Sequence, residues 1–154
     1  MKAFEILIKD HREVDALMAQ LEKAKGQTSN SSNKQTFEKL RESLTIHAEA
    51  EEQIVYPALE EFDETEEQAE HSYDEHAEVK SMLAQMGELE PGSEEFQTVL
   101  SELKESVQHH VKEEENELFP KGEELLSESE LEAMGQEILA FKQEGMSSSS
   151  SASL

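Results

Sequence analysis

HAEAEEQIVYP at residues 47–57 is written a second time, at residues 110–120, as HVKEEENELFP. The two stretches align at an offset of 63 residues, with His, Glu and Pro in matching places. Further out, DHREVDALMAQ (10–20) aligns with EHAEVKSMLAQ (75–85) at an offset of 65. The chain therefore reads as two related helical hairpins facing each other about a pseudo-twofold axis. Around these stretches the apolar residues recur at steps of three and four, the spacing of one helical face. The stripes run Phe4, Leu7, His11, Val14, Met18, Leu21, then Phe37, Leu40, Leu44, His47, Glu51, Ile54, Ala58. They continue as Ala69, Ser72, His76, Val79, Leu83, Met86, and as Phe96, Leu100, Leu103, Val107, His110, Glu114, Leu118.

GQTSNSSN (26–33) and EPGS (90–93) break the pattern with turn formers, and Pro57 and Pro120 should kink or stop their helices. Ser127 with Glu130 reads as a capping box, opening a fifth helix whose apolar face is Leu131, Met134, Ile138 and Phe141. No stretch alternates at period two. The expected fold is all-α: an antiparallel up-down four-helix bundle with a short fifth C-terminal helix, built as two repeated hairpins. Residues 1–144 would form the domain, and the Ser-rich segment 145–154 a disordered tail.

Composition narrows the function. Of 154 residues, 37 are acidic and 13 basic, a formal charge of −24, and only 35% are hydrophobic. Low hydrophobicity with high charge can mark disorder, but the sustained helical period opposes that here. A surface so negative repels phosphate backbones and anionic lipid, so neither nucleic acid nor membrane is an expected partner. It reads as a device for solubility or a salty habitat. The absence of cysteine excludes disulfides, iron–sulfur clusters, thiolate zinc sites and cysteine nucleophiles. There is no secretory signal and no membrane-spanning apolar run, so the cytoplasm is the expected compartment.

The polar residues inside the stripes carry the chemistry. Each long helix has a core histidine, His11, His47, His76 or His110, and two add a carboxylate one turn later, Glu51 and Glu114. One such histidine is ordinarily a hydrogen-bonded core residue, and one such glutamate an edge residue. Six of them in register across two half-chains are different. Desolvating a carboxylate costs several kcal/mol, and no Arg or Lys lies in the stripes to compensate. Bound cations do so, and imidazole with carboxylate suits iron, manganese or zinc. Six donors are too many for one tetrahedral ion. They suit two ions, each held by two histidines, with Glu51 and Glu114 bridging.

Other groups are peripheral. His109 lies about 100° around the helix from His110 and should be solvated or support a ligand. His71 could turn inward only through a π-bulge. Asp15, one turn after His11, could accept from that imidazole's second nitrogen, but reads more naturally as solvated. Tyr56 and Phe119 hold equivalent places before the two prolines and should wall the pocket. Met18, Met82 and Met86 read as core filler.

At DHRE, HAEAEEQIVYP, DEHAEV and HVKEEENELFP the chain resembles the hemerythrin-like, HHE cation-binding family, over roughly residues 3–144. The resemblance implies a four-helix bundle around two iron ions, an oxo- or hydroxo-bridged non-haem di-iron centre. It implies Glu51 and Glu114 as bridging ligands and His11, His47, His76 and His110 as terminal ones. It implies a binding protein rather than an enzyme, with O2 or another small diatomic as partner, for oxygen binding, storage or sensing. No protein partner is implied. The O2-carrying members have a fifth histidine one turn before the third-helix histidine, where this chain has Ser72. Either His71 replaces it through a local bulge, or the site has four histidines and is more open. Openness favours nitric oxide or peroxide chemistry over stable carriage; iron handling is a further alternative. The carboxylate after His110 also falls at i+4 rather than the i+5 of the O2 carriers.

Related chemistries fail on residues. No histidine has a glutamate three residues before it, as ferritin-type bundles require. There is no HExxH and no glycine-rich phosphate loop. Iron–sulfur repair members of the family carry an N-terminal cysteine-bearing segment that this chain, opening directly on its first helix, is not expected to use.

Overall fold

Asn30 shows how the turns define the helices. Its side chain accepts from the backbone N–H groups of Ser32 and Asn33, so Asn30 is the N-cap of a helix that begins at Ser31. Ser93 caps another helix through the N–H of Phe96. The computed structural model describes residues 1–27 and 30–152, with side chains through residue 146. The long helices are α1 (Ala3–Glu22), α2 (Ser31–Ala50), α4 (Glu66–Met86) and α5 (Glu94–Glu113). Short α3 (Tyr56–Glu60) continues from α2, and α6 (Phe119–Leu125) from α5. No strand occurs among the described residues.

The two junctions are π-helical turns, Glu51–Val55 and Glu114–Leu118. In each, the residue before proline donates its N–H five residues back, Tyr56 to Glu51 and Phe119 to Glu114. Pro57 and Pro120 have no N–H, and their rings crowd the carbonyl four residues back; a widened turn relieves that contact. The prolines thus widen the helix rather than stop it. The extra residue moves the buried face by one position: Val55 and Leu59 are buried where the stripe pointed to Ile54 and Ala58.

The fifth helix is not short. α7 (Glu128–Ala152) has 25 residues and is the longest described. The capping box at its start is present, with Ser127 N–H on Glu130 and Glu130 N–H on Ser127 Oγ. Leu131, Met134 and Ile138 are buried, and α7 lies along α1 and α2. Nothing before Ala152 breaks it, since serine lowers helix propensity only mildly. The expected tail, 145–154, falls largely outside the described side chains, and residues 153–154 outside the described residues altogether.

α1 packs on α2, α5 and α7, and α4 packs on α5. Along α1 the burial is in three storeys. Phe4 and Leu7 belong to one apolar core with Leu59, Phe119 and Ile138. Val14, Met18 and Leu21 belong to a second, with Phe37, Leu40, Leu83 and Phe96. Between them lie Asp10 and His11, buried and polar. Among the described residues no helix is long and apolar enough to cross a membrane.

Candidate metal centre

The six residues singled out by the repeat meet between the two cores. Glu51 and Glu114 are 0% and 1% exposed, and His11, His47 and His110 are buried. Each histidine turns its Nε2 inward. His11 Nε2 lies 3.2 Å from Glu114 Oε1, and His47 Nε2 lies 3.3 Å from Glu51 Oε1. Across the centre, His76 Nε2 lies 3.1 Å from Glu51 Oε1, and His110 Nε2 lies 3.3 Å from Glu114 Oε2. Glu114 therefore offers one oxygen to each hairpin, and Glu51 faces histidines of both. Donor atoms of His11, His47, Glu51 and Glu114 lie within 4.8 Å of one another, as do those of Glu51, His76 and His110. These clusters could hold metal ions.

Four buried atoms, His11 Nε2, His47 Nε2, Glu51 Oε2 and Glu114 Oε1, have no hydrogen-bond partner. Buried polar atoms are otherwise almost always satisfied. All four are lone-pair donors on one centre, so the residues fit a cation.

The outer nitrogens form a second repeat. Every Nδ1 meets a carboxylate: His11 with Glu115 at 2.7 Å, His47 with Asp10 at 2.8 Å, His76 with Glu52 at 2.8 Å, His110 with Glu75 at 2.7 Å. Such a bond fixes ring orientation and leaves Nε2 free to ligate. It was legible in part: Asp10 and Glu75 directly precede His11 and His76, and Glu52 and Glu115 directly follow Glu51 and Glu114, at the offsets of the repeat. Yet each carboxylate serves a histidine on another helix, which spacing along one helix does not reveal. Asp15 is exposed, and Glu115 takes the role considered for it.

The aromatic positions before the prolines diverge. Phe119 walls the site, lying parallel to His11 at 6.1 Å and stacked on Phe4 at 4.5 Å. Tyr56 instead enters it. Its hydroxyl donates to Glu114 Oε2 at 2.6 Å, and lies 3.1 Å from Glu51 Oε1 and 3.2 Å from His76 Nε2. Ser72 is buried with its hydroxyl donated to the Gln68 carbonyl. α4 runs through it as unbroken α-helix, so no bulge brings His71 inward, and His71 is on the surface, 60% exposed.

The electrostatics follow from carboxylates outnumbering fixed cations. Burial opposes charge on His47, but Glu51 and Asp10 outweigh it and push the imidazole up to about 10. His76 and His110 rise against the same burial, through Glu51 and Glu114 respectively. Burial alone would raise Glu51, yet His47 and His110 hold it well below the usual carboxylate range. Burial and the charges of Glu114 and Glu51 push the Tyr56 phenol well above its ordinary value, so it stays a donor.

The Hemerythrin HHE cation binding domain pattern matches residues 2–122 of this sequence. The chain belongs to the hemerythrin HHE cation-binding family. A hemerythrin HHE cation binding domain-containing protein from Mycobacterium kansasii has the same fold: TM-score 0.82 at 21% identity, over 96% of this chain and 89% of that one. Two curated relatives are similar in sequence. A Nostoc protein named DNA nickase is 33% identical over 144 residues, 92% of this chain and 39% of its own length. An uncharacterized hemerythrin-like protein from Schizosaccharomyces pombe is 39% identical over 89 residues, 56% of this chain and 44% of its own. The chain thus spans less than half the length of each curated relative. Within the hemerythrin HHE family, this chain presents four inward histidines, two shared carboxylates and a phenol.

Proposed function

We propose that this chain is a non-haem di-iron protein that binds O2, for oxygen binding, storage or sensing, within an antiparallel up-down four-helix bundle. One ion would be held by His11 and His47, the other by His76 and His110, with Glu51 and Glu114 shared. The observation that carries the reading is a small apolar cavity of about 40 Å³ against all four histidines, lined also by Val14, Leu44, Val79, Val107 and Val111. It has room for a water-sized or diatomic molecule and offers that molecule no polar partner besides the centre. A groove on the outside of α2 and α4 shares Leu44, Ala48, His76 and Val79 with it.

Iron in such a centre supplies redox activity and coordination positions left open by the protein. The chain's residues do the rest. The four outer carboxylates hold each imidazole in the ligating tautomer. The valines make the cavity wall apolar and offer water no hydrogen bond. Tyr56 keeps a proton on its oxygen, aimed at Glu114. Ser72, at the position where the O2 carriers have their fifth histidine, leaves a more open centre, and that openness favours a second reading: nitric oxide or peroxide reduction at the same site. A charge of −24 repels DNA phosphates, which opposes a DNA-directed activity for this chain. A cytoplasmic setting suits the reading.

The test is the absorption spectrum of anaerobically reduced, iron-loaded protein before and after exposure to air. A new visible band that reverses under argon supports O2 binding. Oxidation with no lasting adduct, together with fast turnover of peroxide or nitric oxide, moves the function to the second reading.

A further inference from the structure

The repeat also relates two outer faces of the molecule, and they have diverged. On the first hairpin, Ile6, Ile46 and Ala50 are buried, and α7 lies over them. There Asp10 Oδ2 accepts from His47 Nδ1, while its other oxygen accepts from the ammonium of Lys142 on α7. On the second hairpin the equivalent positions are His71, His109 and Glu113, with Glu75 in place of Asp10. His71 and His109 are 60% and 65% exposed. Glu75 Oε1 accepts from His110 Nδ1, as Asp10 Oδ2 does from His47, which leaves Oε2 of Glu75 to other partners. That oxygen faces two imidazoles instead, His71 Nε2 at 3.7 Å and His109 Nε2 at 3.8 Å. His109 Nε2 also lies 3.0 Å from Glu113 Oε1.

We propose that His71, Glu75, His109 and Glu113 form a second, surface site for a divalent transition-metal ion, distinct from the buried centre. Each helix contributes a His and a Glu at i and i+4, one turn apart on the same face. The donor atoms of His71, Glu75 and Glu113 lie within 4.8 Å of one another, and His109 Nε2 joins them beside Glu113 Oε1. Two imidazoles and two carboxylates match the tetrahedral N/O preference of zinc. The comparison with the other face supplies the independent argument: Lys142 neutralises the outer oxygen of Asp10, and a metal ion would do the same for Glu75. The negative field of the molecule concentrates cations there. An ion in this site would share Glu75 with a histidine of the buried centre.

The test uses the full chain and Zn²⁺ as probe. Zinc is titrated calorimetrically into the wild type and into the double variant His71→Ala, His109→Ala. Both side chains are on the surface, so circular dichroism should be unchanged. The variant should bind about one ion fewer, the outer phase weakening more than about tenfold. Zinc should also shift the ring resonances of both histidines in the wild type. The phase belonging to the buried centre is common to both proteins, so its failure would leave the difference between them intact. Superimposable isotherms, or unshifted His71 and His109 resonances, would overturn the proposal.

Discussion

On one side His11 lies against the Phe119 ring and α7 covers α1 and α2, whereas His76 and His110 sit beside the Tyr56 hydroxyl and under an open face. Among the polar positions of the centre, those that kept their residue type through the repeat are the four histidines, the two shared glutamates and the outer carboxylates. Positions that changed decide what surrounds them: Tyr56 against Phe119, His71 against Ile6, His109 against Ile46. Arg12, which clasps Glu115 at 2.6 Å, has Ala77 as its counterpart. The repeated residues make a centre, and the diverged ones make its two halves chemically unequal.

Breaking what the halves share should have the largest effect. Glu51→Ala removes a carboxylate that faces histidines of both hairpins. It should weaken metal binding at both positions by more than about 100-fold, since even an outer partner contributes 10–100-fold. Chelator competition measures this, with the gain in melting temperature on metal addition lost in parallel.

Protons compete with metal for the same nitrogens. The folded-state value of His47 is raised to about 10 from an ordinary 6.5. Its contribution to the stability of metal-free protein is therefore fully present below 6.5 and lost as pH rises through about 10. Metal must displace that proton, so metal affinity should rise across the same window, by up to about tenfold per pH unit for each proton released. Unfolding of the metal-free form and metal titrations at stepped pH should show these opposite trends.

The outer carboxylates sharpen the comparison. Asp10→Asn and Glu75→Gln should each weaken metal binding by about 10–100-fold. Only the first also strands Lys142, so it should cost the metal-free protein about 1–3 kcal/mol more in denaturant melts. Tyr56→Phe makes the two aromatic positions alike. Metal content should hold, while loss of the hydroxyl on Glu114 costs the metal-free protein about 1 kcal/mol, and the rate of iron oxidation in air changes.

The stripes were legible because helical period and burial agree from Phe4 to Leu21 and from Phe96 to Glu114. So was the hidden polar centre, because six ligand-type residues kept their register through the duplication. The π turns were not: a single inserted hydrogen-bond step follows from Pro57 and Pro120 acting on a helix already held by packing, and it moves Val55 and Tyr56 inward. Tyr56 reaching Glu114, 58 positions away, depends on that shift. Neither could spacing along one helix pair His11 with Glu115 or His76 with Glu52, because those bonds cross between helices. The length of α7 was also hidden, since a run of serines gives no periodic signal.

The most direct test of the account is metal content. Full-length protein is loaded anaerobically with iron(II), freed of excess and assayed for iron per chain beside Glu51→Ala. The wild type should hold about two more ions per chain than the variant, the pair of a two-metal helical carboxylate–histidine centre; any ion on the His71 and His109 face is common to both. Wild-type protein that retains no metal, or a variant that retains as much as the wild type, would contradict it.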